Sequence, residues 1–361
     1  MKLERENLTI ERIDWPYVLS QDINKTFDEV KTFFEKNKHP FIKDKHQLAY
    51  YVGGVSFKEL FNALRNTDQY YQEMRVKRKN GKKRTVYKVK WPLNQYQHFI
   101  KRYILNEYEI SKYATAYFEG ASIKRNAEIH CGKKYILKMD LADFFGHITL
   151  DMIKTNVFNK NHFPPYICYA LLKLCTYKGS IVQGAATSPA ISNIVMKHFD
   201  DVMGSWCDEN NISFSRYSDD IAFSSDKPLY PAYCKAKSLL EKMGFEINEA
   251  KTKFVTNGNR QLINGVVVNE GPRVAREYRR KLRQEVYYAL KYLPEVCQIH
   301  RNEGDMVVVD QQEFFFCNKQ NITYIESLFG KISWVLQINP NDKYFKDAKK
   351  KLQEKYFKPS I

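Results

Sequence analysis

The chain has 361 residues and a formal net charge of +17 at pH 7, which predicts a polyanionic partner, either a nucleic acid or an acidic membrane surface. No apolar run is long enough to span a membrane, the charged N-terminal segment lacks the apolar core of a signal peptide, and the 7 cysteines form no Cys-x-x-Cys pair. These features exclude a transmembrane segment, a zinc site built on cysteine pairs and a disulfide framework, and they favour a cytoplasmic protein.

The first part of the chain predicts a helical extension followed by a basic hairpin. Apolar residues recur at helical spacing in three segments, 22–38, 47–52 and 57–64. Ser56 stands at the N-cap position of the last of them. Residues 75–89 then predict two strands joined by an Asn80-Gly81 turn with lysines and arginines around it. Such a tip is either a solvated loop or a phosphate contact, and the residues alone leave both open.

A helix, a short polar element and an apolar strand are predicted next. Apolar side chains on one face indicate an amphipathic helix over 92–112. Asn126 and His130 then stand four residues apart, a spacing typical of helix-surface or capping residues. Residues 135–140 predict a strand that ends in Asp140, and the aromatic pair Phe144-Phe145 follows it.

Two helices are predicted over 151–158 and 165–175. A turn of small residues, Gln183 to Pro189, follows and opens a helix over 190–202. Small residues allow a nucleotide to approach the backbone closely, so this turn is a candidate binding element.

The hairpin predicted over 212–224 carries two adjacent carboxylates, Asp219 and Asp220, at its turn. Taken alone, an Asp-rich turn is usually a solvated turn. Adjacent carboxylates repel each other, however, and a third carboxylate, Asp140, ends an earlier strand. Three carboxylates on neighbouring strands are suited to a pair of magnesium ions, and a two-metal site suits in-line displacement at phosphorus.

The remaining residues predict a helix over 232–243, a turn and strand over 244–248, and a hairpin over 261–269 with its turn at Asn264-Gly265. Lys251 lies in a polar segment that is equally typical of a solvated loop.

A helix predicted over 273–293 has an apolar face opposite four arginines. Since few acidic residues accompany these arginines, a nucleic-acid-binding face is favoured over a solvated one. Beyond it we expect a local insertion or hairpin over 305–316, apolar helical spacing over 328–336 and a basic tail over 346–358.

Three of these elements together resemble a reverse transcriptase. They are Tyr217-x-Asp219-Asp220, the strand ending in Asp140 with Phe144-Phe145 after it, and Gln183-Gly184-x-x-x-Ser188-Pro189, and they occur in the family's order. The resemblance implies an RNA-directed DNA polymerase with an α+β, right-hand fold of fingers, palm with an antiparallel sheet, and helical thumb. The implied domains are 1–134 (helical extension and fingers), 135–270 (palm, with finger-side helices at about 150–200) and 271–361 (RNA-binding thumb).

The resemblance also implies roles for individual residues. Asp140, Asp219 and Asp220 would be catalytic and would bind two Mg²⁺ ions, together with the backbone carbonyl of Leu141. The dNTP-binding residues would be Lys77, Arg84, Asp143, Phe144, Phe145 and Gln183, with Phe145 at the steric gate that rejects a 2′-hydroxyl. Lys251 would be a candidate general acid. RNA or template-primer contacts would come from Asn126, His130, Ser188, Asn264, Gly265, Arg276, Arg279, Arg280 and Arg283.

Within that family, the compact length, the Asn126/His130 element and the glycine-containing hairpin are similar to retron reverse transcriptases, although Ile263-Asn264 departs from the usual Val-Thr before the glycine. A retron type would imply a cognate structured non-coding RNA as template and primer, priming from an RNA 2′-hydroxyl, and an RNA-linked single-stranded DNA product (msDNA). It would also imply anti-phage defence with an effector protein from the same operon. The alternatives are another defence-associated reverse transcriptase, a group II intron-like enzyme, or a non-catalytic RNA-binding scaffold.

Overall fold

The computed structural model describes residues 42, 45–77, 81, 83–159, 163–293, 299–302, 305–308 and 319–356. The helix predicted over 22–38 and the tip of the basic hairpin, including Asn80, lie outside these residues. The chain forms two compact units. Unit 1 contains the described residues up to 121, with 137–223 and 229–253, and unit 2 contains 122–136, 224–228 and the described residues from 254 onward. The predicted division into 1–134, 135–270 and 271–361 stays a prediction.

The helices, in chain order, are α1 (Lys45–Tyr51), α2 (Phe57–Arg65), α3 (Leu93–Tyr103), α4 (Ile123–Glu128), α5 (Phe144–His147), α6 (Leu150–Asn156), α7 (Pro165–Cys175), α8 (Ser188–Glu209), α9 (Tyr230–Lys242), α10 (Arg276–Tyr292), α11 (Lys319–Ile338) and α12 (Lys343–Tyr356). None of those in the described residues combines the length and apolar character that crossing a bilayer requires.

The strands are β1 (Tyr71–Lys77), β2 (Lys83–Val89), β3 (Tyr135–Asp140), β4 (Ser213–Tyr217), β5 (Asp220–Ser225), β6 (Lys253–Thr256), β7 (Leu262–Ile263), β8 (Val266–Val267), β9 (Arg273–Val274), β10 (Ile299–Asn302) and β11 (Asp305–Val308). They form a four-stranded sheet in the order β4-β5-β3-β6, a three-stranded sheet in the order β7-β8-β9, and the pairs β1-β2 and β10-β11. This mixture of helices and antiparallel strands agrees with the predicted α+β class.

The basic hairpin of unit 1 is fixed at its base to the turn of small residues. The β2 residue Tyr87 donates its backbone N–H to the Gln183 carbonyl at 2.8 Å. Gly184 has φ +109°, and a Cβ at that position would lie 2.1 Å from the Tyr87 carbonyl oxygen. Only glycine fits so close an approach of two backbones in this conformation. The buried Gln97 side chain supports the same turn by accepting from the Ala186 N–H at 3.3 Å.

Helix α8 is longer than the 190–202 predicted, because it runs from Ser188 to Glu209. Its buried face continues past residue 202 with Met203, Gly204 and Cys207, so packing stabilises the additional turns. The N-cap predicted at Ser56 is present, and it forms a capping box, since its hydroxyl accepts from the Glu59 N–H while the Glu59 carboxylate accepts from the Ser56 N–H.

In unit 2, the predicted hairpin at 261–269 has its turn at Asn264-Gly265, with φ values of +45° and +84°. Two successive positive φ values are typical of a type I′ turn. The helix predicted from 273 begins at Arg276, because Arg273 and Val274 pair with β8 as strand β9. Leu282, Val286 and Ala289 form the buried face of α10. The predicted insertion at 305–316 contains β11 of an antiparallel hairpin, while 309–318 lie outside the described residues.

Candidate active site

The turn between β4 and β5 brings the two adjacent aspartates to the end of β3. Ser218 and Asp219 occupy the turn, and Ser218 has φ +62°. The Leu141 N–H, just after β3, donates to the Asp219 carbonyl at 3.2 Å. Asp140, at the end of β3, therefore lies near the Asp219-Asp220 turn, because β3 and β5 are neighbouring strands.

The three carboxylates affect one another electrostatically. Burial, and then the negative charges of Asp219 and Asp140, raise the pKa of the Asp220 carboxyl to about 6, against opposing contributions from Lys138 and Lys251. A raised pKa means that the folded protein disfavours the ionised form of this group. The site is therefore short of positive charge, which a bound cation would supply.

Lys251 is positioned by the segment that follows α9. That segment joins the end of β3 through two backbone hydrogen bonds, from Ala142 to Glu246 at 2.9 Å and from Asn248 to Asp140 at 2.8 Å. The Lys251 ammonium nitrogen Nζ lies 2.8 Å and 2.7 Å from Asp140 Oδ1 and Oδ2. Lys251 is thus an exposed turn residue whose side chain is paired with a candidate catalytic carboxylate. Its role as a general acid stays a prediction.

These residues fit a divalent metal site. Among the described residues, no group of three His, Cys, Asp or Glu side chains is arranged to hold a metal ion by itself. Magnesium, however, is commonly bound through one or two carboxylates with substrate phosphates completing the coordination. Asp140 already holds a cationic group, the Lys251 ammonium, and the raised pKa of Asp220 shows the excess of negative charge. Asp140, Asp219 and Asp220 are the residues that would hold such ions, and the Leu141 carbonyl stays a further prediction.

We expect the Asp220 shift to appear as a pH dependence of stability in metal-free protein. Because its folded pKa is raised from 3.8 to about 6, the stabilisation is complete below the unfolded pKa and is lost as pH rises through about 6. The expected loss is on the order of 2 kcal/mol. It is measured by chemical unfolding in EDTA at several values between about pH 4.5 and 7.

The matched control is Asp220→Asn, which cannot titrate. Other groups titrate in both proteins, so the relevant quantity is the difference in unfolding free energy between wild type and variant. The variant should gain stability relative to wild type as pH rises. A difference that does not change with pH would contradict the raised pKa.

A buried arginine that the sequence analysis did not assign holds the catalytic turn. Arg216 of β4 and Asp200 of α8 are both 0% exposed, and two hydrogen bonds of 2.8 Å and 2.7 Å join them. The same guanidinium donates to Asn193 Oδ1 at 3.2 Å and to the Ser218 carbonyl at 3.1 Å. Arg216 therefore links the interior of α8 to the residue that precedes Asp219.

Tyr117 contacts the same turn from its other side. Its hydroxyl donates to Ser218 Oγ at 2.7 Å, while the residue as a whole is 40% exposed. Tyr117 itself has φ +69°, a conformation that is costly for a bulky residue. Ser218 is thus held at its carbonyl by Arg216 and at its hydroxyl by Tyr117, so the left-handed turn is fixed by two separate contacts.

The predicted nucleotide-binding residues occur in unit 1 in different settings. Phe144 is buried against Phe145 and Phe245, whereas Phe145 is partly exposed, as a steric gate requires. Asp143 is exposed in a left-handed conformation with φ +36°, and Gln183 is partly exposed. These assignments stay predictions.

The register of the basic hairpin determines on which face of the two-stranded ribbon Lys77 and Arg84 lie. Lys77 lies opposite Lys83, and Val76 lies opposite Arg84. Since directly paired residues of an antiparallel ladder share a face, the Lys77 and Arg84 side chains leave the ribbon on opposite faces near its tip. A triphosphate would meet both only at the end of the hairpin, and the assignment stays a prediction.

Three residues predicted to contact RNA or template are buried, which does not fit direct contact through their side chains. Asn126 and His130 are 1% and 0% exposed. His130 Nδ1 lies 2.8 Å from Ser224 Oγ, and burial lowers the pKa of His130 to about 3, so it is neutral near pH 7. Asn126 Nδ2 donates to Asn264 Oδ1. Helix α4, which carries Asn126, thus supports the Asn264-Gly265 turn within unit 2. Ser188 is 1% exposed and is the first residue of α8.

The four predicted thumb arginines divide into two kinds. Arg279 is paired with Asp342, and Arg283 lies over the Tyr344 ring at 4.9 Å from its centroid. Arg276 and Arg280 are exposed, and neither forms an ion pair within the part of the chain that the structure describes. These two are the most available for a phosphate.

Comparison with known proteins agrees with the resemblance found in the sequence. The family model described as "Reverse transcriptase (RNA-dependent DNA polymerase)" matches residues 76–316. Retron Ec86 reverse transcriptase of Escherichia coli is 26% identical over 270 residues, covering 73% of this chain and 84% of that protein. Retron Ec83 reverse transcriptase of Escherichia coli is 34% identical over 182 residues, covering 46% and 58%. Retron Mx65 reverse transcriptase of Myxococcus xanthus is 27% identical over 234 residues, covering 60% and 55%.

Proposed function

Since this chain belongs to the reverse transcriptase family of RNA-directed DNA polymerases, we propose that it copies a cognate structured non-coding RNA into single-stranded DNA that stays joined to the RNA. The observation that supports the proposal is that Asp140 and the Asp219-Asp220 turn lie at the ends of the neighbouring strands β3 and β5, within a segment that matches the family. Similarity to three retron reverse transcriptases supports the retron type.

The reaction proposed for this site is attack of a primer hydroxyl on the α-phosphate of a dNTP, with pyrophosphate as the leaving group. Asp140, Asp219 and Asp220 would hold two magnesium ions, whose charge would lower the pKa of the attacking hydroxyl and neutralise the developing negative charge. The buried Arg216 keeps the turn in place while Asp219 and Asp220 act as ligands. Nζ of Lys251 lies beside Asp140, and Lys251 is the residue that would protonate the leaving pyrophosphate.

Selection of the nucleotide is assigned to the residues around α5 and the basic hairpin. The partly exposed ring of Phe145 would clash with a 2′-hydroxyl and so favour deoxynucleotides. Lys77 and Arg84 would contact the triphosphate at the hairpin end, where an arginine can bind two phosphate oxygens at once and a lysine acts as a point charge. Asp143, Phe144 and Gln183 would line the nucleotide.

As part of the retron-type proposal, we further propose that synthesis is primed from an RNA 2′-hydroxyl and that the product is msDNA. We also propose that the protein acts in anti-phage defence with an effector protein encoded in the same operon. The arginines of α10 and the Asn264-Gly265 hairpin would contact the RNA. The net charge of +17 supports a polyanionic partner of this kind.

Primer extension tests the polymerase part of the proposal. Purified protein is given an RNA template with an annealed DNA primer, four dNTPs and magnesium, and products are resolved by length. We expect template-dependent DNA that requires a divalent metal and that is much reduced with four rNTPs. Absence of extension by a folded protein that binds the template would favour the RNA-binding scaffold.

A further inference from the structure

Three large tyrosine rings lie exposed at the C-terminal end of α10. Tyr287, Tyr288 and Tyr292 are 55%, 53% and 58% exposed. The ring of Tyr292 contacts Tyr288 at 5.3 Å and Tyr287 at 6.4 Å between centroids. Lys291 donates to the Tyr287 hydroxyl at 2.8 Å and lies 5.3 Å and 5.2 Å from the centroids of the Tyr287 and Tyr292 rings. We call these four residues the tyrosine cluster.

An arginine-lined cavity of about 760 Å³ lies at the other end of the same helix. We call it the arginine pocket, and its arginines are Arg260, Arg273, Arg276, Arg279, Arg280 and Arg283. Three of them have carboxylate partners, since Arg260 pairs with Glu277, Arg273 with Glu270 and Arg279 with Asp342. The charge of the other three is not balanced by an ion pair with any described residue. The pocket is therefore suited to an anion.

The two features share one face of α10. Positions 276, 280, 283, 287 and 291 recur every three or four residues, so they form one stripe along the helix. At 1.5 Å per residue, the stripe is about 22 Å long. A nucleic-acid strand whose phosphates lie in the arginine pocket, and which continues along this stripe, reaches the tyrosine rings.

We propose that α10 carries a two-part site for an unpaired segment of RNA, in which the arginine pocket binds phosphates and the tyrosine cluster stacks on bases. The inference rests on the proposed function, because it assumes that RNA is the partner. A polyanion complements the pocket, and bases are the part of RNA that gains from exposed rings, at about 1–3 kcal/mol for each stacked base. A double helix offers phosphates but no free base faces, so the site should prefer unpaired RNA.

Binding of a fluorescein-labelled oligouridine 12-mer and of a 12-base-pair RNA duplex, each over a range of salt concentrations, tests this site. The full-length protein is compared with Tyr287→Leu/Tyr288→Leu. The double variant should bind the oligouridine about 10-fold or more weakly, with an unchanged salt dependence and unchanged duplex affinity. Tyr287→Phe/Tyr288→Phe keeps the rings and should restore binding.

The phosphate part has its own variant and control. Arg276→Gln/Arg280→Gln should weaken binding of both probes and reduce the slope of log K against log salt by about 1.4 for the single strand. Lys346→Gln/Lys350→Gln removes the same amount of charge from α12, outside the pocket. It should change the slope of log K against log salt less than Arg276→Gln/Arg280→Gln does.

Normal oligouridine binding by the Tyr→Leu variant would overturn the stacking part. Loss of binding that is equal for oligouridine and duplex, or that Tyr→Phe fails to restore, would do the same. Primer extension on a generic template is measured in parallel. If wild type extends primers but the variants bind RNA normally, the inference fails and the proposed function stands; if wild type neither extends nor binds RNA, the proposed function fails as well.

Discussion

DNA synthesis on an RNA template should fall by about a thousandfold or more when Asp219 is replaced by asparagine, and likewise when Asp220 is. Asparagine keeps the shape of the side chain but removes the negative charge that would bind the metal ions. The variants should still fold and bind RNA, because both positions lie at a turn and neither belongs to the α10 stripe that is proposed to bind RNA. The rate is measured by single-turnover primer extension with saturating dNTP, and RNA binding by fluorescence anisotropy.

Asp226→Asn is the matched control for this experiment. Asp226 follows β5 and is exposed; it pairs with Lys133 at 3.5 Å and accepts from the Lys134 N–H at 3.2 Å, a bond that the asparagine side-chain oxygen can still accept. Its replacement should leave synthesis within about twofold of wild type, as expected for a surface ion pair. If both Asp219→Asn and Asp220→Asn still made DNA, the assignment of the metal-binding carboxylates would be wrong.

The second large effect is expected at Arg216, which acts through the turn and touches no substrate. Replacing Arg216 alone leaves Asp200 ionisable and buried without its partner, which should cost about 3–5 kcal/mol of stability. The informative variant is therefore Arg216→Met/Asp200→Leu, which removes both charges and can keep the packing. It should fold but lose the hydrogen bond to the Ser218 carbonyl, and the rate of synthesis should fall about 10- to 100-fold.

A positioning role is distinguished from a merely structural one by metal binding. Mn²⁺ affinity, measured by electron paramagnetic resonance on protein without nucleic acid, should weaken in the double variant while its unfolding midpoint stays near that of wild type. Tyr117→Phe removes the contact to the Ser218 hydroxyl and keeps the ring, so its effect should be in the same direction and smaller. Wild-type rate and metal affinity in the double variant would exclude the role.

Elements with strong local signals were predictable from the sequence. The Asn264-Gly265 turn, the Ser56 N-cap and helix α7 each depend on residues close together in the chain, and each occurs where it was predicted. The start of α10 was not predictable in this way, because Arg273 and Val274 gain more from pairing with β8 than their helical pattern indicates. The first residue of α10 is therefore set by strand pairing in the folded protein and not by local helix propensity.

The contacts that hold the candidate catalytic carboxylates in position were harder to predict than the carboxylates themselves. Arg216 alternates with Phe214 on the apolar side of β4, and a charged residue there requires a buried partner. Nothing in the sequence indicates which of the adjacent carboxylates, Asp200 or Asp201, reaches it, because the partner lies on another element. The same holds for Lys251, whose pairing with Asp140 depends on a contact between residues 111 positions apart.

Asn126 and His130 are predicted to contact RNA because they occur in a family-like motif. Both side chains are buried in unit 2, where Asn126 bonds to Asn264 of the turn and His130 lies beside Ser224, so their predicted RNA contact stays a prediction. A motif indicates that residue types matter, and only the fold shows whether they act on a ligand or on the chain itself.

The most direct test of the retron-type proposal is the nucleic acid that the protein carries. Protein expressed with its native flanking locus is purified, the bound nucleic acid is extracted, and separate portions are digested with RNase and DNase and sequenced. We predict a short DNA of single sequence joined to RNA through a branched 2′ linkage, lost in Asp219→Asn. RNA without any linked DNA, from a protein that extends an added primer, would contradict the retron type and indicate another class of reverse transcriptase.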